Sequence, residues 1–192
     1  MNYNFYAYIS RMKFIQRWSL MHSIIPENIM EHSEQVAQIA FGLAVINNKI
    51  FNGSADVGKC VSIAIFHDVS EVITGDLPTP VKYYNKELND AYKGLESVAN
   101  NKIISMLPDE LKGAFEEVIS ADKNSYEAEL VKAADKIAAY VKCVEELKAG
   151  NKEFTKAKKS NKALIDEIEL PEVKYFMDKF IKGFELSLDE LE

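Results

Sequence analysis

Apolar residues recur at three- and four-residue intervals along almost the whole of this chain, and nowhere do they alternate with the two-residue period of a strand. Val36, Ile39, Ala40, Leu43 and Ala44 form one such stripe, and Val57, Cys60, Val61, Ala64 and Ile65 form another. Each stripe has to be buried against a similar one, which restricts the chain to an all-α architecture of packed helices. The punctuation predicts helices near 3–16, from Asn28 to about Asn47, and after Asp56, a fitting N-cap. Further helices are expected near 86–106, 108–120 and 126–148, the last ending at Gly150. A lysine-rich helix near 151–167 and a final one from Pro171 to about Leu188 complete the order. Gly75-Asp76-Leu77-Pro78-Thr79-Pro80 cannot be regular helix, because two prolines remove donors and extend the residues before them.

No linker, repeat or low-complexity tract divides the 192 residues, so residues 1–192 read as a single domain with enough apolar content to build one core. The net charge of −7 argues against a nucleic-acid surface, and Lys152, Lys156, Lys158, Lys159 and Lys162 read as a solvated helix face. No apolar run approaches the roughly 20 residues of a membrane span, and the N-terminus lacks the order of a signal peptide. Cys60 and Cys143 lie at apolar helix positions and read as buried free thiols suited to a reducing cytoplasm.

The chain has three histidines, and two of them stand where apolar residues belong. His32 continues the stripe of Val36 and Ile39, and Asp68 and Glu71 extend that of Ala64, with His67 on the same side. Asp135 sits mid-helix between Val131 and Ala138, on or beside an inward face. Each alone has an ordinary explanation: a hydrogen-bonded core histidine, a helix end meeting solvent, a salt bridge. Together they conflict with burial on three separate helices, and one divalent cation shared by two imidazoles and two carboxylates removes every conflict. That donor set suits Co, Mn, Ni, Fe or Zn better than Ca. Taken alone, Trp18 reads as a core anchor, Arg17 as a solvated charge, GDLPTP as a rigid turn, and His22 as a surface residue.

The order H…HD…D across successive helices resembles the HD-domain metal phosphohydrolases. RWSLM (17–21), ENIMEHSEQVA (27–37), HDVSEVITGDLPTPVKYY (67–84) and LVKAADKIAAYVKCVEEL (130–147) resemble more closely their bacterial 5′-deoxynucleotidase branch. The resemblance spans nearly the whole chain. It implies an HD-type helical fold in which His32, His67, Asp68 and Asp135 hold one divalent metal, leaving room for a water and a phosphate oxygen. It implies Glu71 as the acid/base that manages the water's proton, with Asp68 also catalytic. Arg17 and Trp18 would orient the phosphate, with His32 and Asp68 also facing the substrate. Asp76, Leu77, Pro78 and Thr79 would line the sugar, Asp76 toward a deoxyribose hydroxyl. The implied reaction is hydrolysis of a 2′-deoxyribonucleoside 5′-monophosphate to deoxynucleoside and phosphate, and relatives of this kind tend to pair as homodimers.

Other readings stay open at this point. Hydrolysis of deoxynucleoside triphosphates or of pyrophosphorylated guanine nucleotides would use the same metal chemistry. A larger polyphosphate calls for more cations than Arg17, Lys82, Arg11 and Lys93 supply. A non-catalytic nucleotide-binding protein of this fold would usually lack a ligand or the acid/base, whereas every position is filled here. In a plain helical interaction module the same polar groups would merely pair with one another.

Overall fold

The computed structural model describes residues 3–82 and 84–191; Tyr83, near the end of the 67–84 run, lies outside them with Met1, Asn2 and Glu192. The chain is helical, and among the described residues the only β-type pairing is an isolated antiparallel bridge between Gln16 and Asn28. The helices are α1 (Phe5–Ile9), α2 (Ile29–Ile50), α3 (Val57–Phe66), α4 (Glu71–Thr74) and α5 (Thr79–Lys82). They are followed by α6 (Lys86–Ile104), α7 (Asp109–Ile119), α8 (Tyr126–Lys148), α9 (Thr155–Asp166) and α10 (Pro171–Lys179).

Three long elements, α2, α3 and α8, make the centre. Val36, Ala40, Leu43 and Ala44 of α2 pack with Cys60 and Ala64 of α3 and with Leu130, Ala134, Ile137 and Val141 of α8. Small residues along these stripes let the helix axes approach closely. Ile65 is the exception to its predicted stripe: it is exposed, since one step of about 100° carries it off the Cys60–Ala64 line. A second apolar cluster joins Phe5, Met12, Ile29, Val69, Ile103 and Leu107, tying the N-terminal segment to α6.

The helices that frame the site, α2 and α3, start at side-chain caps. The Asn28 carboxamide accepts from the Met30 and Glu31 amides at 3.1 Å, and the Glu31 carboxylate reaches back to the Asn28 amide. At α3 the Asp56 carboxylate accepts from the Lys59 amide at 2.9 Å.

Five predicted elements differ in detail, one of them the helix expected over 151–167, which opens with a 3-10 turn over Lys152–Phe154 before α9. The helix expected over 3–16 is α only to Ile9 and then tightens into a 3-10 segment, Ser10–Phe14. The final helix stops at Lys179, and 3-10 turns over Ile181–Glu185 and Leu188–Glu190 replace the continuation to Leu188. Within 75–80, Thr79 and Pro80 do start a single helical turn, which a proline tolerates because first-turn amides have no helical acceptor. Most consequentially, α3 ends at Phe66, and His67 to Ser70 form tight turns before α4 starts at Glu71.

Candidate functional site

Arg17 and Trp18 open a loop that is closed at its base by main-chain bonds. The Arg17 amide donates to the Glu27 carbonyl at 2.9 Å, and the Ile29 amide donates to the Ile15 carbonyl at 3.0 Å. Trp18 sits at φ 60°, a conformation that costs a bulky side chain energy and is held only by its surroundings. Its indole packs on buried Phe154 with 5.2 Å between ring centroids, and its Nε1 donates to Glu27 Oε2 at 2.9 Å. The far side of the loop is pinned to α8. Glu146 Oε2 and Oε1 accept from the Ile24 and Ile25 amides at 3.0 Å, and the Lys142 ammonium donates to the Ile25 carbonyl.

The polar groups predicted on separate helices converge beside this loop. His32, on the first turn of α2, is fully buried, and its Nε2 lies 3.0 Å from Asp135 Oδ1 on α8 and 3.8 Å from Asp68 Oδ2. The His67 ring, 5.3 Å from that of His32, directs Nδ1 at the Ala64 carbonyl (2.7 Å) and Nε2 toward Asp68 Oδ2 (3.1 Å). Donor atoms of His32, His67 and Asp135 all lie within 4.8 Å of one another. Asp68 Oδ2, beside both rings, also accepts from Arg17 Nη1 at 3.4 Å. Asp135 borders the inward face rather than lying beneath it, with 43% of its side chain exposed.

A divalent cation fits the side chains present. His32 Nδ1 is buried without a hydrogen-bond partner, and the buried His67 Nε2, though 3.1 Å from Asp68 Oδ2, is not aligned for a hydrogen bond with it, a costly state for an imidazole unless something is bound. The His67–Ala64 bond already places a hydrogen on Nδ1 and frees the Nε2 lone pair, the usual arrangement of a metal-ligating histidine. Burial works to lower the His67 pKa, but the carboxylates of Asp68 and Asp135 outweigh it and push it up to about 9. A cation at this spot competes with that proton. Burial likewise opposes ionisation of Asp68, yet His67, Arg17 and His32 hold it well below the usual carboxylate range.

Glu71 begins α4 and is buried, with its Oε2 unpartnered. Burial, reinforced by the charges of Asp68 and Asp76, pushes its carboxyl up to about 10 against the opposing pull of Arg17 and Lys82. Asp76 is raised for the same first reason, partly offset by Arg17 and by the Trp18 main-chain amide. Leu77 and Pro78 are half-buried and Thr79 is exposed; among the described residues no hydrogen bond joins their side chains to the cluster. Of the candidate cations, Arg17 alone reaches it. Lys82 pairs with Glu96 at 3.1 Å, Arg11 stacks over Phe14, Lys93 is exposed, and His22 is a surface residue.

Two groups here escape a reading of the sequence. Glu27 accepts from both Arg17 Nε (3.0 Å) and Trp18 Nε1 (2.9 Å), so Arg17 is a half-buried, ion-paired residue rather than a solvated charge. The Lys142–Glu146 pair that holds the loop is buried. The only clue to Glu27 is its place just ahead of the Asn28 cap; Lys142 and Glu146 look like any i,i+4 pair on a helix surface.

Comparison with known proteins agrees with this architecture. Among solved structures, an HD-domain phosphohydrolase from Listeria innocua superposes with a TM-score of 0.82 at 23% identity, covering 94% of this chain and 88% of that one. The cyanophage S-2L HD phosphohydrolase, solved bound to dA and one catalytic Zn2+ ion, gives 0.63 at 21% identity over 92% of this chain and 96% of that one. At these identities the likeness establishes the fold. In sequence, a 5′-deoxynucleotidase of Vibrio parahaemolyticus is 49% identical over 189 residues, spanning 98% of this chain and 97% of the relative. The model of the YfbR-like 5′-deoxynucleotidases matches residues 4–184. With a match over nearly its whole length and a relative at this identity, the chain belongs to the YfbR-like 5′-deoxynucleotidase family.

Proposed function

We propose that the protein hydrolyses 2′-deoxyribonucleoside 5′-monophosphates to deoxynucleoside and phosphate, with one divalent metal ion held by His32, His67, Asp68 and Asp135. The observation that carries this reading is the meeting of Arg17 and Asp68 at 3.4 Å beside the His32, His67 and Asp135 donors. An anion-binding fork and a cation-binding cluster share a single wall, which is what a phosphomonoester needs. When bound, the metal supplies Lewis-acid polarisation of the phosphate and acidifies water. The zinc ion and dA bound by the cyanophage relative, and the Vibrio relative's activity, support both metal and substrate class.

The chain's own residues divide the remaining work. Arg17 is fixed through Nε and Nη1 by Glu27 and Asp68, and among the described residues nothing hydrogen-bonds its Nη2. That group donates to a phosphate oxygen, while Trp18 walls the phosphate against the loop. Glu71 is the acid/base: an acidic group kept protonated by its surroundings can give a proton to the leaving 5′ oxygen, and its carboxylate can accept one from water. Asp76 contacts the sugar hydroxyl. Leu77, Pro78 and Thr79 complete that side, where a 2′-hydroxyl is disfavoured. Monophosphates are favoured over polyphosphates because, among the described residues, Arg17 is the single cationic side chain that hydrogen-bonds to the cluster.

Residues 1–192 act as one unit, the assembly is a homodimer, and the partner is a small nucleotide rather than nucleic acid. No helix among the described residues is long and apolar enough to cross a membrane. Both cysteines are free, fully buried and raised in pKa by that burial, which supports a reducing cytoplasmic setting.

A phosphate-release screen tests the reading, using ribo- and deoxyribonucleoside mono-, di- and triphosphates with several divalent metals. Release from deoxyribonucleoside monophosphates, dependent on metal and weaker on ribonucleotides, is expected. Equal turnover of the two sugars removes the sugar assignment, and preference for triphosphates removes the monoesterase assignment.

A further inference from the structure

Glu27 does nothing obvious in the sequence, yet its carboxylate faces both the Arg17–Trp18 pair and the Nδ1 side of His32. It lies on the loop just ahead of the α2 cap, and only 11% of its side chain is exposed. Its Oε2 receives two donors at once, Arg17 Nε at 3.0 Å and Trp18 Nε1 at 2.9 Å. These two bonds fix the plane of the guanidinium and the tilt of the indole together. Its other oxygen, Oε1, lies 3.9 Å from His32 Nδ1. That separation is too long for a hydrogen bond, and His32 Nδ1 is buried with no partner at all.

The chemistry of His32 makes this vacancy meaningful. An imidazole that offers its Nε2 lone pair to a cation must carry its hydrogen on Nδ1, and a buried N–H needs an acceptor. Here Nε2 is drawn to Asp135 Oδ1 at 3.0 Å, and Oε1 of Glu27 is the carboxylate oxygen facing the opposite nitrogen. An approach of roughly 1 Å, within the reach of a side-chain adjustment, turns the contact into a hydrogen bond.

We propose that Glu27 is a positioning residue shared by the two halves of the site: Oε2 orients Arg17 and Trp18 for phosphate, and Oε1 accepts the Nδ1 hydrogen of His32, presenting Nε2 to the metal. Metal binding and phosphate orientation are thereby joined through a single side chain that need touch neither the metal nor the substrate. The proposal rests on the metal-dependent phosphatase reading.

The test uses the full chain, stripped with chelator and titrated with Mn2+ alone by calorimetry, alongside intrinsic fluorescence of the metal-free protein. Trp18 is the only tryptophan, so emission reports its indole directly. Glu27→Gln is isosteric but has one oxygen, and either orientation of the amide sacrifices one of the two roles. With the oxygen beneath Arg17 and Trp18, the amide N–H2 faces Nδ1 and forces the hydrogen onto Nε2. Emission then stays as in wild type, and metal affinity falls about 10- to 100-fold. The reverse orientation keeps metal affinity and shifts the emission. Glu27→Ala sacrifices both and changes both signals.

A merely structural role would lower the melting temperature and leave emission and metal affinity alone. Wild-type emission together with wild-type Mn2+ affinity in Glu27→Gln overturns the proposal, as does either signal staying wild-type in Glu27→Ala. If Glu27→Ala does not fold, Glu27→Gln decides by itself. Should wild-type protein release no phosphate from any deoxynucleoside monophosphate, the phosphatase reading fails. The metal titration and the emission then still judge Glu27.

Discussion

Glu71 shows how much a single residue's surroundings decide. A glutamate one turn past an HD pair looks like a helix end in solvent, but the fold buries it against Asp68 and Asp76 and pushes its carboxyl from the usual 4.5 up to about 10. Because the folded value lies above the unfolded one, the metal-free fold binds the protonated form more strongly. That contribution is complete below the ordinary glutamate range and is lost as pH rises through about 10. The denaturation midpoint of metal-free protein should therefore fall between pH 5 and pH 10 more steeply in wild type than in Glu71→Gln, as chemical melts at several pH values will show. Parallel slopes would mean that Glu71 titrates normally. For activity, Glu71→Ala should keep Mn2+ affinity while kcat drops roughly 100- to 10,000-fold; a wild-type kcat would remove it as the acid/base.

Among elements, the loop over residues 17–27 depends on α8 as much as on itself. Glu146, fully buried, accepts from the Ile24 and Ile25 amides, Asn151 Nδ2 (2.7 Å) and Lys142 Nζ (2.5 Å). Burial opposes its ionisation, but these four donors outweigh that and hold it down to about 2. Glu146→Gln leaves the Lys142 ammonium buried without a counter-charge, a loss on the order of 3 kcal/mol, or about 6–12 °C in Tm for a chain of this size. A carboxylate depressed in the folded state stabilises above the ordinary glutamate range, and the effect disappears as pH falls toward about 2. Thermal melts should therefore show a large gap between Glu146→Gln and wild type at pH 7 and a much smaller one at pH 3. An equal gap at both values would locate the stabilisation elsewhere. The same α8 carries Asp135 less than a helix length away, so one rigid element places a carboxylate of the proposed metal site and anchors the loop that bears Arg17 and Trp18.

At the scale of the whole molecule, α2, α3 and α8 meet where His32, His67, Asp68 and Asp135 meet, so ligand binding and global stability should be linked. A cation that binds only the folded chain stabilises by roughly 2.7 kcal/mol at a hundredfold excess over Kd, about 5–11 °C. Chelator should remove that increment, and His32→Ala should show no increment at all; an identical Mn2+-induced shift in His32→Ala would exclude it as a ligand. The sequence by itself determined the helical class, most helix boundaries and the inward placement of His32 and His67, because periodicity and capping act within a few residues and are written locally. The family's motifs, carried in 67–84 and in three other segments, determined the chemistry to expect. Only the tertiary structure decided that α3 stops short of His67, that Ile65 faces outward, that Arg17 pairs with Asp68 and Glu27, and that Glu27 and Glu146 hold the loop. Those outcomes depend on contacts between residues far apart in the chain, such as Glu146 with Ile24, and no local pattern encodes which distant partner a side chain will meet. His67-Asp68 was a legible pair; what lies around it was settled by packing.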